Sequence, residues 1–213
     1  MEEYLVPTGY GEDAFIEKKS RFIGRIWPVE TEEEALCKIQ EMKKQHYDAT
    51  HNCWAYIIHG GAVRFSDDGE PGGTAGMPML QVLQREGLHN VVCVVTRYFG
   101  GILLGAGGLV RAYTKGAKIA VDAAGKSMKR IWTVLYLPCP YPFYERVKLE
   151  IEDFGGIIRN TEFGAEVELE VLFPEAKVQP FLERLTDMTS GTVEAMETGQ
   201  EYRAFPILKE ATI

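Results

Sequence analysis

No apolar run in this sequence approaches the roughly 20 residues that a membrane-spanning helix requires, which argues against a helical membrane protein. The opening Met1-Glu2-Glu3-Tyr4 has neither a basic n-region nor an apolar h-region, so no export signal is expected. Cysteine is scarce and scattered. Cys37, Cys53, Cys93 and Cys139 form no C-x-x-C pair, and each sits in an apolar setting where a small buried thiol is ordinary. A disulfide framework or zinc ribbon is therefore not expected, and a reducing, cytoplasmic setting is.

Positive charge is also short, with a formal net charge of −8 over 213 residues. The shortage is local. Residues 1–130 carry 16 Lys+Arg against 16 Asp+Glu, whereas residues 131–213 carry 7 against 15, the whole imbalance. An acidic segment repels phosphate at long range, so any RNA contact belongs to the N-terminal part. With 46% hydrophobic and 25% charged residues, the chain has the composition of a globular protein.

What is present reads as two patterned halves. Two β-like stretches in the first 28 residues lead to Thr31, a helix N-cap with Glu34 completing a capping box. Ala35, Leu36, Ile39 and Met42 recur at helical spacing. Strands are expected at Cys53–Ile58 and Val63–Phe65. Thr74 is expected to cap the helix carrying Met79, Leu80, Val82 and Leu83. Val91–Val95 is continuously apolar, as in a central strand covered on both faces. A helix follows from Leu109 to about Ala124. The basic stretch Lys126–Arg130 is the expected boundary between domains 1–130 and 131–213. Beyond it come a strand at Trp132–Leu137, a helix face of Phe143, Val147, Ile151 and Phe154, and an alternating strand at Val167–Phe173. A helix face from Val178 to Met188 and a last strand at Thr192–Met196 complete β-α-β-β-α-β, the ferredoxin-like order.

The candidate functional surface runs from His51 to Tyr113. Its central motifs are His51-Asn52-Cys53, Ser66-Asp67-Asp68-Gly69-Glu70-Pro71, Gly73-Thr74-Ala75-Gly76, Val94–Gly101 and Gly108–Tyr113. In this order and spacing they resemble the IMPACT/YigZ family over roughly residues 17–125, and the acidic tail is similar to the second domain of its bacterial members. The resemblance implies an α+β protein. Its N-terminal domain would be a ribosomal-protein-domain-2-like α/β sandwich, as in domain IV of elongation factor G, and its C-terminal domain would resemble that factor's domain V. It also implies a link to translation, since eukaryotic relatives regulate it by competing for a ribosome-associated activator of a stress kinase. It implies no catalytic residue.

Individual residues point to binding more than to chemistry. Gly100, Gly101, Gly105, Gly107 and Gly108 can bring backbone N–H groups close to an anion at a helix N-terminus. The loop lacks the Gly-Lys-[Ser/Thr] of a P-loop, and Val110 stands where a dinucleotide fingerprint needs its third glycine. Close helix–sheet packing explains the same glycines equally well. Arg97 with Tyr98 and Phe99, and Arg111 with Tyr113, pair cations with aromatic rings, as in single-stranded nucleic-acid binding. Alternatively, those arginines neutralise Asp67, Asp68 or Glu70 within the domain. The acidic turn can hold Mg²⁺ or simply form a solvated loop. His51-x-Cys53 offers at most two soft ligands, too few for a zinc site. Side chains two apart in a strand stand about 6–7 Å apart, which disfavours a Cys–His nucleophile. Lys18, Lys19, Arg21 and Arg25 form a basic face or a solvated strand edge. Neither metal nor cofactor is expected. Asp67, Asp68, Glu70, Arg97 and Arg111 are expected to converge on one face. The leading reading is a non-enzymatic, translation-associated protein that binds RNA, the ribosome or a protein partner. The alternatives are a phosphate-binding small-molecule enzyme using Gly100–Gly108, and a protein–protein adaptor.

Overall fold

A computed structural model describes residues 3–206. The chain divides into two compact units, one comprising residues 4–128 with 204–206, the other 129–203 with Glu3.

The first unit opens with β1 (Tyr4–Pro7), β2 (Gly11–Glu17) and β3 (Ser20–Pro28), three strands where two were expected. β2 and β3 form a hairpin whose two turn residues, Lys18 and Lys19, both have positive φ (44° and 64°). Helix α1 (Glu32–Gln45) starts as predicted. The Glu34 amide donates to Thr31 Oγ1 at 3.2 Å, while the Glu34 carboxylate accepts from the Glu30 amide at 2.8 Å. β4 (His51–Ile57), β5 (Val63–Ser66), α2 (Gly76–Arg85), β6 (Val91–Tyr98) and α3 (Ala106–Ala124) follow.

The antiparallel sheet has the order β2-β3-β6-β4-β5, which makes β6 central. Its alternation is the basis of everything at the site. Val91, Cys93 and Val95 enter the core shared with α2 and α3, whereas Val92 and Val94 enter the core under α1. α3 lies unusually close to the sheet. A Cβ on Gly24 would come within 2.0 Å of the Gly116 carbonyl oxygen, so only glycine fits there.

The second unit begins inside β7 (Lys126–Cys139). The basic stretch Lys126–Arg130 is the start of a strand, and the two units divide within it. α4 (Tyr141–Asp153), β8 (Ile157–Phe163), β9 (Val167–Pro174), α5 (Glu175–Thr189) and β10 (Met196–Pro206) complete βαββαβ. β7 lies between β9 and β10, and β8 pairs with the far edge of β9, the ferredoxin-like order. Val167, Leu169, Val171 and Phe173 pack with Val147, Ile151, Phe181 and Leu185 from the two helices. The last strand is displaced from its expected place at Thr192–Met196. Ser190 and Gly191 take positive φ (51° and 73°) and turn the chain, and Val193 is buried in the core before the strand begins.

Candidate functional site

β6 ends where its alternation becomes polar. Arg97 falls on the α3 side, beside Phe22 and directly across from His51 in the register. Its Nη1 donates to Glu70 Oε1 at 2.6 Å, and the two side chains are 5% and 3% exposed. Tyr113, on the inner face of α3, donates its hydroxyl to the same Glu70 oxygen at 2.8 Å. His51 is bonded through Nδ1 to the Asp68 carbonyl oxygen at 2.8 Å, and its Nε2 lies 3.7 Å from Glu70 Oε2. The buried carboxylate is thus matched by one guanidinium and one hydroxyl, the pairing a buried charge requires.

The acidic turn is occupied by its own backbone. Asp67 Oδ1 accepts from the Ala75 and Gly76 amides at 3.0 and 2.8 Å, and Oδ2 accepts from the Gly73 amide at 2.8 Å. Asp67 therefore caps α2. Thr74, expected in that role, donates its hydroxyl to the Pro71 carbonyl oxygen instead. Asp68 accepts from the Asn52 amide at 2.7 Å and from Lys43 Nζ at 2.6 Å. Among the described residues no group of three or more His, Cys, Asp or Glu is placed to hold a metal ion.

Several expected site residues lie elsewhere. Tyr98 is one residue on from Arg97 and projects to the opposite, α1 side, where its hydroxyl meets His46 Nδ1 at 2.8 Å and donates to Asp48 at 3.2 Å. Arg97 itself is buried and ion-paired to Glu70. Arg111 does not join the Asp67–Asp68–Glu70–Arg97 group. It is exposed, with its guanidinium over Gly107 in the first turn of α3, and lines an adjoining pocket. Arg111 and Tyr113 do not pair, because residues two apart on a helix face different ways. Gly100 is not open to an anion. A Cβ there would lie 2.1 Å from the Lys19 carbonyl, and its amide already donates to Ser20 Oγ at 3.2 Å. Gly101 and Gly105, by contrast, have positive φ (83° and 74°) and open space, and Gly108 packs on Leu104.

These elements enclose a cleft of about 370 Å³. Arg97, Glu70 and His51 line it together with Gly105, Ala106 and Leu109 of the α3 start. Phe99 and Leu103 complete it, 45% and 81% exposed, and Ile102 beside them is 41% exposed. The Phe99 ring is braced by Arg97, whose guanidinium carbon lies 5.4 Å from the ring centroid. Burial, with Cys53 and Glu70 close by, pushes the Tyr113 hydroxyl far above its usual range. Burial likewise raises the Cys53 thiol, which donates to the Asp67 carbonyl oxygen and is no nucleophile. Sequence reasoning missed Leu103 as a site residue and the exposed Ile102 beside it. Their signal was two consecutive large apolar residues in a glycine-rich loop that no period assigns to a core.

The chain is matched by known proteins. The model of the Impact N-terminal domain matches residues 18–121, and a domain of unknown function, DUF1949, matches residues 137–192. The IMPACT family member YvyE of Bacillus subtilis (strain 168) is 37% identical over 199 residues, covering 92% of each chain. The IMPACT family member YigZ of Escherichia coli (strain K12) is 37% identical over 202 residues, covering 92% of this chain and 98% of that one. A crystal structure described only as that of a hypothetical protein superposes with a TM-score of 0.59 at 35% identity, covering 93% of this chain and 98% of that one. The chain belongs to the IMPACT family.

Proposed function

We propose that this protein is a cytoplasmic, translation-associated regulator that acts by binding, and that the cleft between His51 and Leu109 receives a ribosomal or ribosome-associated partner. One observation carries the reading. Leu103 is 81% exposed over a cleft in whose floor the Glu70 carboxylate is already committed to Arg97 and Tyr113. An exposed apolar rim over a neutralised floor suits recognition better than proton transfer, which needs a group free to gain or lose a proton. Membership in the IMPACT family supports the link to translation. The alternative of a phosphate-binding small-molecule enzyme using Gly100–Gly108 loses one donor, since the Gly100 amide is taken by Ser20.

Co-sedimentation of the full chain with ribosomes on a sucrose gradient tests the proposal. Leu103→Asp, at a fully solvated position, is expected to abolish co-sedimentation while leaving the far-ultraviolet circular dichroism unchanged. A wild-type chain that stays at the top of the gradient, with ribosomes in excess, overturns it.

A further inference from the structure

Six cations of the first unit are matched internally. Arg25, Lys38, Lys43, Arg97, Lys118 and Lys126 each meet a carboxylate. A separate group does not. Lys18, Arg111 and Lys115 line one pocket of about 200 Å³ beside the cleft, and Lys19 adjoins them in the β2–β3 turn. All four are exposed, and none has an ion-pair partner among the described residues. Glu17 is the sole acidic residue lining that pocket. Lys115 is held over the Phe15 ring, 4.3 Å from its centroid, which fixes its stem and leaves its charge unmatched. Leu104 belongs to the walls of both the pocket and the cleft, so the unmatched charges and the exposed Phe99 stand on neighbouring surfaces.

From this placement we infer that the basic pocket holds the phosphate backbone of a single RNA strand, with a base laid against Phe99 in the adjoining cleft. The inference rests on the reading of the cleft as a ribosome-facing surface and names the ligand next to it. Four like charges beside a single carboxylate repel one another, and a polyanion relieves this by releasing its own bound cations. A duplex hides its bases, whereas a single strand offers phosphates to one pocket and a flat ring to the next. The first turn of α3 lies under Arg111 and contains neither an acid nor a capping side chain, so its potential does not oppose a phosphate.

The test is fluorescence anisotropy of the full chain with a labelled oligouridylate of about 12 nucleotides, within the usual single-strand site size, across a series of salt concentrations. Lys18→Asn, Lys19→Asn, Arg111→Gln and Lys115→Gln are combined in one variant; asparagine tolerates positive φ at the two turn positions. The log–log salt slope is expected to flatten by about 2–3, at about 0.7 for each single-strand phosphate no longer neutralised. An unchanged slope in a folded variant overturns the inference. So does equal competition by poly-glutamate, which assigns the patch to an acidic protein, or tighter binding of a duplex of the same length. Failure here is distinguishable from failure of the cleft reading. An unchanged salt slope in the four-site variant with intact ribosome co-sedimentation removes the RNA contact alone. Loss of ribosome binding only in the four-site variant, with Leu103→Asp behaving as wild type, removes the cleft reading and leaves the patch.

Discussion

Arg97 and Glu70 form a buried ion pair at 2.6 Å, 27 residues apart in sequence, and a third residue, Tyr113, bonds the same carboxylate oxygen. Truncating one partner leaves the other charged and without a match in a site that is almost wholly buried. Glu70→Ala is expected to cost about 3–5 kcal/mol, and Arg97→Ala a similar amount. The double variant Glu70→Leu/Arg97→Met should cost much less than the two single changes together, because it removes both charges at once. Urea denaturation of the four proteins gives the coupling. Additive losses would mean that the two side chains do not share one electrostatic unit. Arg97→Ala is therefore no clean probe of RNA binding, whatever its apparent suitability from sequence.

Asp67 takes three backbone amides at the start of α2, so Asp67→Ala is expected to destabilise the chain by about 2 kcal/mol, the upper end for removal of a cap. Asp67→Asn should recover part of that, since an amide oxygen can accept where the carboxylate did. Thr74→Val should cost less than Asp67→Ala. Thermal unfolding ranks the three, and the opposite order would restore Thr74 as the cap.

The elements that sequence made legible are those with a local cause. Thr31 caps α1 and Val91–Val95 is central because short-range pattern and propensity agree with the fold there. The site was half legible. That Glu70 and Arg97 neutralise each other was one of the open alternatives, but which acid pairs with which arginine depends on a loop 27 residues away. Strand alternation did carry enough information to separate Tyr98 from Arg97. The stacking pattern drew attention to the two as a pair, and the period of two sends them to opposite faces. Asp67 was unreadable for another reason: it caps a helix that begins nine residues later, beyond the usual capping distance.

The glycines should separate by mechanism. Gly24→Ala forces a Cβ to within 2.0 Å of the Gly116 carbonyl oxygen and is expected to cost about 3 kcal/mol or prevent folding. Gly100→Ala meets the Lys19 backbone at 2.1 Å and should behave alike. Gly101→Ala has open space around it and only a positive φ of 83° to tolerate, a cost of about 1 kcal/mol. Equal losses at Gly100 and Gly101 in chemical denaturation would contradict the close approach of the β2–β3 turn to this loop.

Thiol reactivity should follow burial. Cys37 is exposed, whereas Cys53, Cys93 and Cys139 are buried. Burial pushes the Cys93 thiol up to about 12 and raises Cys53 and Cys139 as well. At pH 8 an aromatic disulfide reagent is expected to modify one thiol quickly, with the others reacting only on unfolding. The sign for stability follows from the same shifts. Above about pH 8.5, the ordinary cysteine value, the unfolded chain releases protons that the folded chain retains. These thiols should therefore lower stability progressively as pH rises from there toward 12. A stability that is flat in that range for wild type and for Cys93→Ala would remove this contribution.

The turn at Lys18 and Lys19 offers the sharpest separation of folding from function. Both residues take positive φ in a two-residue hairpin, a conformation that favours asparagine and glycine over lysine. A lysine there costs on the order of 1 kcal/mol relative to a residue suited to the turn. Folding alone therefore predicts that Lys18→Asn/Lys19→Gly is stabilising, by about 1–2 kcal/mol in urea denaturation. The RNA proposal predicts that the same change weakens binding, because it removes two unmatched positive charges from the pocket edge and should flatten the single-strand salt slope by about 1.4. More stable yet weaker binding is the signature of a strained turn retained for its ligand. A variant that is more stable and binds oligouridylate as tightly as wild type would show that these lysines serve neither the fold nor RNA. A destabilised variant would mean that the lysine side chains make interactions that outweigh the turn's preference.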